Sequence, residues 1–281
     1  MCGIFGTVTQ ERNRPDMGIL RSLALINRSR GKESLGFFDS TGSVFKKADD
    51  PEDVLGTEEA TKWLDRSGRK AWAVCGHTRY STQGTVCDEN SHPFKYGSVI
   101  GAHNGIVSAP AEYTVDSEYL VDLIDKSNNN YQQAFADQWG YWTFCWLDTN
   151  TNEFYITMHD NSCGIVKYNG AWYFSSDPAH LTMAVGARDM YILEEGNTVK
   201  FTENGEMVWL ENFTASTGKY KKSWKTSGGN SYSSYDGGYE SHGVFETSDK
   251  HIGVNDGAGQ IGRFDAEYRE IWEEYIATYE G

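Results

Sequence analysis

Basic side chains are scarce in this sequence. Its 281 residues include 25 lysines and arginines against 40 aspartates and glutamates, which gives a formal net charge of −15. Binding to a nucleic-acid backbone depends on clustered basic residues, so this balance argues against nucleic acid as a partner. No apolar run approaches the roughly 20 residues of a membrane-spanning helix, and the N-terminus lacks the basic start and apolar core of a secretion signal. We therefore expect a cytoplasmic protein that does not contact a membrane.

Cysteine is also sparse, with five residues at positions 2, 75, 87, 145 and 163. The number is odd and no Cys-x-x-Cys pair occurs, so the sequence predicts neither a zinc site nor a dithiol redox motif. Cys75 and Cys145 lie in apolar runs and are predicted to be buried. Cys87 and Cys163 lie in polar, turn-like stretches and are predicted to be ordinary thiols. Only Cys2 has an unusual position.

Proline is rare and glycine is abundant, with 5 and 30 residues, which indicates many tight turns between short strands. Asn169-Gly170 and Asn204-Gly205 each separate two apolar segments, and the first pair is typical of a two-residue hairpin turn. Further strands are predicted at 35–38, 43–46, 71–75 and 98–102, and helices at 16–30 and 117–124. Many short strands with few helices favour an α+β fold over a parallel α/β sheet.

The composition changes after residue 213. Residues 1–213 are predicted to form one compact domain, whereas residues from 214 to about 262 are rich in Ser, Gly and Tyr and resemble a linker or tail. Apolar side chains at 264–279 have helical spacing. We therefore expect a tail over 214–281 that ends in a helix, which would need a surface of the main domain or of a partner to dock on.

Cys2 is the first candidate for chemistry. Removal of the initiator Met1 would leave a thiol and a free α-amine on one residue. An α-amine has a pKa of about 7.7–8.0, so it can act as the base for the neighbouring thiol. One residue would then supply both nucleophile and base. The alternative is a structural cysteine, and the position alone does not decide between them.

Several further segments follow in order along residues 2 to about 205. They are Met1-Cys2-Gly3-Ile4-Phe5-Gly6, Arg30-Gly31 with Ser34 and Gly36, Gly76-His77-Thr78-Arg79-Tyr80-Ser81-Thr82, Asn90 with His92-Pro93-Phe94, Ala102-His103-Asn104-Gly105-Ile106-Val107, and Asp116-Ser117-Glu118. Together they resemble the class II glutamine amidotransferases, which are N-terminal nucleophile hydrolases. The pattern is similar to the glutaminase domains of glucosamine-6-phosphate synthase and amidophosphoribosyltransferase. The resemblance implies a four-layer αββα sandwich, with two antiparallel sheets between helices.

The resemblance implies three catalytic residues. The Cys2 thiolate would attack the side-chain amide of L-glutamine, and the Asn104 side-chain NH₂ and the Gly105 backbone N–H would form the oxyanion hole. The alternative for Asn104-Gly105 is an ordinary hairpin turn. The segment that follows makes a poor alternating strand, and Pro110 would interrupt pairing, so the context favours the oxyanion hole.

The resemblance also implies substrate-binding residues. Arg79 would bind the α-carboxylate of the substrate and Asp116 its α-ammonium group, while Tyr80 and Thr82 would shape the loop over the substrate. The alternative for Arg79 is a surface ion pair. For Asp116 the alternative is the N-cap of the following helix, and both roles can hold at once.

Three histidines of the same motifs, His77, His92 and His103, are interpreted as structural, because the implied chemistry needs no further base. The implied reaction passes through a Cys2 γ-glutamyl thioester and uses no cofactor or metal. Its ammonia would go to a separate acceptor synthetase subunit, because the 68 residues after residue 213 are too few for an acceptor domain. Two alternatives remain: a binding or regulatory module with weak turnover, and a hydrolase of another γ-glutamyl amide.

Overall fold

The computed structural model describes residues 2–10, 14–187, 189–215, 244–246 and 252–254. The helices of these residues are α1 (Met17–Asn27), α2 (Pro51–Leu55), α3 (Glu58–Lys70), α4 (Asp116–Lys126), α5 (Tyr131–Phe135) and α6 (Pro178–Val185). The strands are β1 (Gly3–Val8), β2 (Ser34–Asp39), β3 (Val44–Lys47), β4 (Ala73–Arg79), β5 (Phe94–Tyr96), β6 (Val99–Val107), β7 (Gly140–Asp148), β8 (Glu153–His159), β9 (Gly164–Tyr168), β10 (Ala171–Ser175), β11 (Tyr191–Ile192), β12 (Thr198–Phe201), β13 (Met207–Trp209), β14 (Val244–Glu246) and β15 (Ile252–Val254). None of these helices is long and apolar enough to cross a membrane.

The chain divides into two compact units, residues 1–221 and 222–281. In the first unit the strands form two antiparallel sheets. The larger sheet has the order β11-β9-β10-β1-β4-β2-β3, and the smaller has the order β13-β12-β8-β7-β6-β5. In the second unit β14 and β15 pair with each other. The strand that follows Cys2 therefore lies inside the larger sheet, between β10 and β4.

Alternate side chains of the central strands enter different cores, as the two-residue period of a strand requires. Ile4 packs between the two sheets, whereas Phe5 packs against the helices that cover the larger sheet. That outer core contains Leu20 of α1, Leu64 of α3 and Leu181 of α6.

A third core lies between the smaller sheet and helices α4 and α5, with Leu120, Phe135 and Trp142 among its buried members. Three apolar layers therefore separate four layers of secondary structure, in the order helices, sheet, sheet, helices. The predicted α+β fold, a four-layer αββα sandwich, is confirmed.

Local turn chemistry explains the clearest strand prediction. Asn169 and Gly170 both have positive φ angles, of 48° and 81°, and β9 pairs with β10 directly on either side of them. Periodicity missed helix α3, which Thr57 caps by accepting the backbone N–H of Ala60. The interpretation of Cys163 was incomplete: its polar neighbours suggested an ordinary turn-like position, but the side chain is fully buried between the sheets.

The predicted boundary at residue 213 and the expected cytoplasmic location stay predictions. Most of the predicted linker and all of the predicted helix at 264–279 lie outside the described residues.

We expect the aromatic cluster around Phe135 to support the third core. The Phe135 ring lies 5.2–6.2 Å, between centroids, from the rings of Trp142, Phe144, Trp146 and Phe213. Phe135→Ala removes these contacts from a fully buried position, so the free energy of unfolding should fall by about 3–5 kcal/mol in urea titrations. Phe135→Leu is the matched control and should lose less than half as much. Equal stability of Phe135→Ala and the native protein would contradict this packing.

Candidate active site

The pairing of β1 with β4 positions Cys2. Gly3 lies opposite Thr78 in the register, so Cys2 lies beside the residues that follow β4. The Cys2 sulfur is 3.4 Å from both the backbone nitrogen and the backbone oxygen of Tyr80. Arg30 donates from Nε to the Cys2 carbonyl oxygen at 2.8 Å and also bonds Asp177 at 3.0 Å. Both the backbone and the side chain of Cys2 are therefore held in place.

Burial raises the pKa of the Cys2 thiol, and the backbone hydrogen bond from Tyr80 opposes this rise without cancelling it. The thiol therefore keeps its proton near neutral pH. A nucleophilic role for Cys2 requires a base beside it, because the thiolate is the reactive form.

The structure brings six of the seven predicted site residues to one open cavity of about 260 Å³. These are Cys2, Arg79, Tyr80, Thr82, Gly105 and Asp116. Asn104, the seventh, precedes Gly105 in β6 and has a buried side chain. Residues from β4, the loop after it, β6 and α4 thus meet at the N-terminal end of β1.

Asn104 and Gly105 lie inside strand β6, so the hairpin-turn alternative is wrong. The expectation that the following segment makes a poor strand is also wrong for Ile106 and Val107, which continue the pairing with β7. Pro110 lies beyond the end of the strand and does not interrupt it. The Asn104 side chain is 2% exposed, and its Nδ2 has no hydrogen-bond partner among the described residues. A buried donor without a hydrogen-bond partner lowers the stability of the fold. The Asn104 NH₂ is therefore available to bind a ligand.

The direction of the Gly105 N–H follows from the alternation of an antiparallel ladder. Ser108 donates to Trp139 on the β7 side, whereas the N–H of Val107 points the other way, to Asp116. Gly105 lies two residues before Val107 on the same strand, so its N–H also points away from β7. A Cβ at Gly105 would collide with the carbonyl oxygen of Tyr141, so only glycine fits here.

Arg79 is buried, with 2% of its surface exposed, and the alternative of a surface ion pair is therefore wrong. Its terminal nitrogens donate to the carbonyl oxygens of Gln83 at 2.6 Å and Thr85 at 3.2 Å. These bonds fix the loop after β4 around the guanidinium group. Each terminal nitrogen carries a second hydrogen, so the side chain can still bind a carboxylate.

Asp116 is the first residue of α4, and Val115 occupies the N-cap, so the N-cap alternative is wrong. Its carboxylate accepts the Val107 N–H at 2.9 Å and is 4% exposed. Among the described residues no lysine or arginine lies within ion-pair distance of it, and its basic neighbour is His103 at 3.9 Å. Burial lowers the pKa of His103, which therefore carries no charge near neutral pH. Among the described residues, the buried Asp116 carboxylate therefore forms no ion pair with a lysine or arginine.

Tyr80 and Thr82 belong to the loop that Arg79 holds, and the Tyr80 side chain is 53% exposed at the mouth of the cavity. Glu33 accepts the backbone N–H of Ser81 and fixes the start of the loop. Gln83 also lines the cavity and was not predicted from the sequence. The signal that could have identified it is its position directly after the motif at residues 76–82.

The three histidines of the motifs form a buried group beside the cavity. The rings of His77 and His92 lie 3.7 Å apart, and His77 Nε2 is 3.0 Å from the carbonyl oxygen of His103. Burial lowers the pKa of His77 to about 3 and the pKa of His92 well below its usual value. His92 and His103 also line the cavity, as neutral imidazoles.

These histidines predict a loss of stability in mild acid. An unfolded histidine has a pKa of 6.5, and His77 has a pKa of about 3 in the folded protein. Below pH 6.5 the unfolded chain binds more protons, so the stabilisation is complete above pH 6.5 and is lost as the pH falls toward 3. For each buried neutral histidine, the free energy of unfolding should fall by up to about 1.4 kcal/mol for each unit by which the pH falls below 6.5. Urea unfolding at pH 7.5 and 5.5 measures the difference, and equal stabilities would contradict buried neutral rings.

Comparisons with known proteins support the family resemblance, although no family model matches the chain. The glutamine–fructose-6-phosphate aminotransferase of Chlorobaculum tepidum is 25% identical over 244 residues, which cover 77% of this chain and 37% of that protein. The enzyme of the same name from Campylobacter jejuni is 27% identical over 239 residues, covering 75% and 38%. The chain therefore matches less than two fifths of the length of these relatives.

The fold is also shared with a solved structure. The glutamine phosphoribosylpyrophosphate amidotransferase of B. subtilis has a TM-score of 0.59 at 19% identity, over 76% of this chain and 49% of that one. At this identity the likeness concerns the fold. Sequence and fold thus agree with the motifs, and the chain is related to the class II glutamine amidotransferases, with the fold of N-terminal nucleophile hydrolases.

Proposed function

We propose that the cavity binds L-glutamine and that Cys2 hydrolyses its side-chain amide. One observation carries the proposal: a thiol, a guanidinium group and a buried carboxylate line the same cavity, and among the described residues the carboxylate forms no ion pair with a lysine or arginine. A free amino acid carries a carboxylate and an ammonium group on one carbon. Arg79 and Asp116 match these two charges and leave the substrate side chain to reach Cys2.

Binding would use the two charged ends of the substrate. Arg79 holds the α-carboxylate with the hydrogens that Gln83 and Thr85 leave unused. Asp116 receives the α-ammonium group, which supplies the cation that its buried carboxylate lacks. Tyr80 and Thr82 cover the bound molecule from the loop.

Catalysis would begin with removal of Met1, which frees the α-amine of Cys2. The amine takes the thiol proton, and the sulfur attacks the amide carbon of the substrate. The C–S bond forms as the carbonyl electrons move to oxygen, where Asn104 Nδ2 and the Gly105 N–H stabilise the charge. The amine returns its proton to the leaving nitrogen, the C–N bond breaks and ammonia departs. Water then hydrolyses the γ-glutamyl thioester to glutamate. No cofactor takes part in these steps.

The ammonia would have a separate acceptor. The names of the curated relatives describe transfer from glutamine to fructose 6-phosphate. By analogy with these relatives, we infer that the ammonia released here passes to an acceptor synthetase, and we propose that this synthetase is a separate subunit.

We expect ammonia release to depend on Cys2. Protein whose intact mass shows loss of Met1 should form ammonia and glutamate from glutamine in equal amounts, and Cys2→Ala should lower the rate by at least about 1000-fold. Cys87→Ala is the control, because Cys87 does not line the cavity and should leave the rate unchanged.

A second measurement detects a reactive Cys2 even where turnover is slow without the partner. A diazoketone analogue of glutamine should alkylate Cys2, as detected by peptide mass mapping. If processed protein neither releases ammonia nor reacts at Cys2, the proposed hydrolysis is wrong and a binding module is the better description.

We expect Asp116 to determine affinity for the substrate. Asp116→Asn removes the charge that binds the ammonium group, so the KM for glutamine should rise about 10-fold or more. Asp122→Asn is a matched control on the same helix, because Asp122 is buried and bonds Lys126 at 2.6 Å. An equal rise in both variants, or none in Asp116→Asn, would contradict this role.

A further inference from the structure

The carbonyl oxygen of Asn104 has a side-chain partner that the proposed reaction does not use. Asn161 donates from Nδ2 to this oxygen at 2.8 Å. Asn161 lies in the connection between β8 and β9, outside the predicted site and outside the cavity lining. Its own Oδ1 accepts the backbone N–H of Ser162 at 2.9 Å, so the amide group is held at both ends.

The Asn104 carbonyl and the Gly105 N–H belong to one peptide unit. A trans peptide is planar, so its C=O and N–H groups point in opposite directions. The ladder directs the Gly105 N–H away from β7, and the Asn104 carbonyl therefore lies on the β7 side. The hydrogen bond from Asn161 to that oxygen adds to the ladder pairing of Asn104 with Thr143 and restrains the tilt of the whole plane. It also polarises the peptide and makes its N–H a better donor.

The same connection also reaches the strand that carries the nucleophile. Ser162 donates from Oγ to the carbonyl oxygen of Ser176 at 2.6 Å. Ser176 in turn accepts the Ile4 N–H on its Oγ at 3.0 Å and donates its own N–H to the Ile4 carbonyl at 2.8 Å. Ile4 is two residues from Cys2. Asn161 and Ser162 therefore connect the Asn104–Gly105 peptide of the smaller sheet to β1, the strand of the larger sheet that follows Cys2.

We propose that Asn161 is a positioning residue for the oxyanion hole, an inference that rests on the proposed hydrolysis of glutamine. It orients the peptide plane between Asn104 and Gly105 so that the Gly105 N–H faces the charge that develops on the substrate oxygen. It touches no reacting atom. Its effect is confined to the transition state, because Arg79 and Asp116 bind the charged ends of the substrate independently of it.

Asn161→Ala tests this inference through the separation of kcat from KM. The variant should lower kcat for glutamine by about 10- to 100-fold, less than the 100- to 1000-fold typical of losing an oxyanion donor outright. The KM for glutamine and the dissociation constant for L-glutamate, measured by calorimetry, should change less than about twofold. Asn130→Ala is the matched control: Asn130 caps α5 by accepting the Gln133 N–H, so its loss affects stability without touching Asn104.

A second readout does not depend on turnover. The amide signal of Gly105 in the ¹⁵N–¹H NMR spectrum should shift in Asn161→Ala and stay in place in Asn130→Ala, because only the first variant removes a bond from its peptide unit. A native kcat or an unmoved Gly105 signal in Asn161→Ala would overturn the inference. If the native protein shows no Cys2-dependent ammonia release, the proposed function fails, whereas the Gly105 signal still decides whether Asn161 holds this peptide.

Discussion

The antiparallel register between β1 and β4 is the constraint on which the rest of the site depends. It places the residue before Gly3 next to the residues after Thr78, and so brings the second residue of the chain to the Arg79 loop. A shift by one residue would turn Ile4 out of the core between the sheets and Phe5 out of the outer core. Because both faces of β1 are buried, the core fixes the register, and the register fixes the position of the thiol.

The site is divided between two sheets, and polar contacts across that division hold its parts together. Cys2 precedes a strand of the larger sheet, whereas Asn104 and Gly105 belong to the smaller one. The apolar core between the sheets sets their separation but cannot set the orientation of a single peptide plane. The β6–β7 ladder gives the Asn104–Gly105 peptide its direction, and the hydrogen bond from Asn161 to the Asn104 carbonyl adds to it. The Ser162 hydrogen bond to Ser176 ties the same connection to the larger sheet.

The many short strands predicted the α+β class, and the resemblance of the motifs to those of the class II glutamine amidotransferases predicted the four-layer sandwich and the six cavity residues. Other features depend on long-range contacts that no local pattern records. Arg79 is buried because the loop after β4 folds around it and accepts its hydrogen bonds. The Asp116 carboxylate accepts the N–H of Val107 in β6 instead of capping its own helix. Asn161 stands 57 residues from the carbonyl that it binds, in a polar segment that resembles any turn.

The buried carboxylate of Asp116 has a consequence for the stability of the domain when the cavity is empty. Folding removes this group from water, and among the described residues it accepts the Val107 N–H but lies within ion-pair distance of no lysine or arginine. Under the proposed function, the ammonium group of a bound amino acid would supply that positive charge, and the ligand would thereby stabilise the folded domain. Resistance to heat and to proteolysis should consequently follow the supply of free amino acid in the surroundings of the protein.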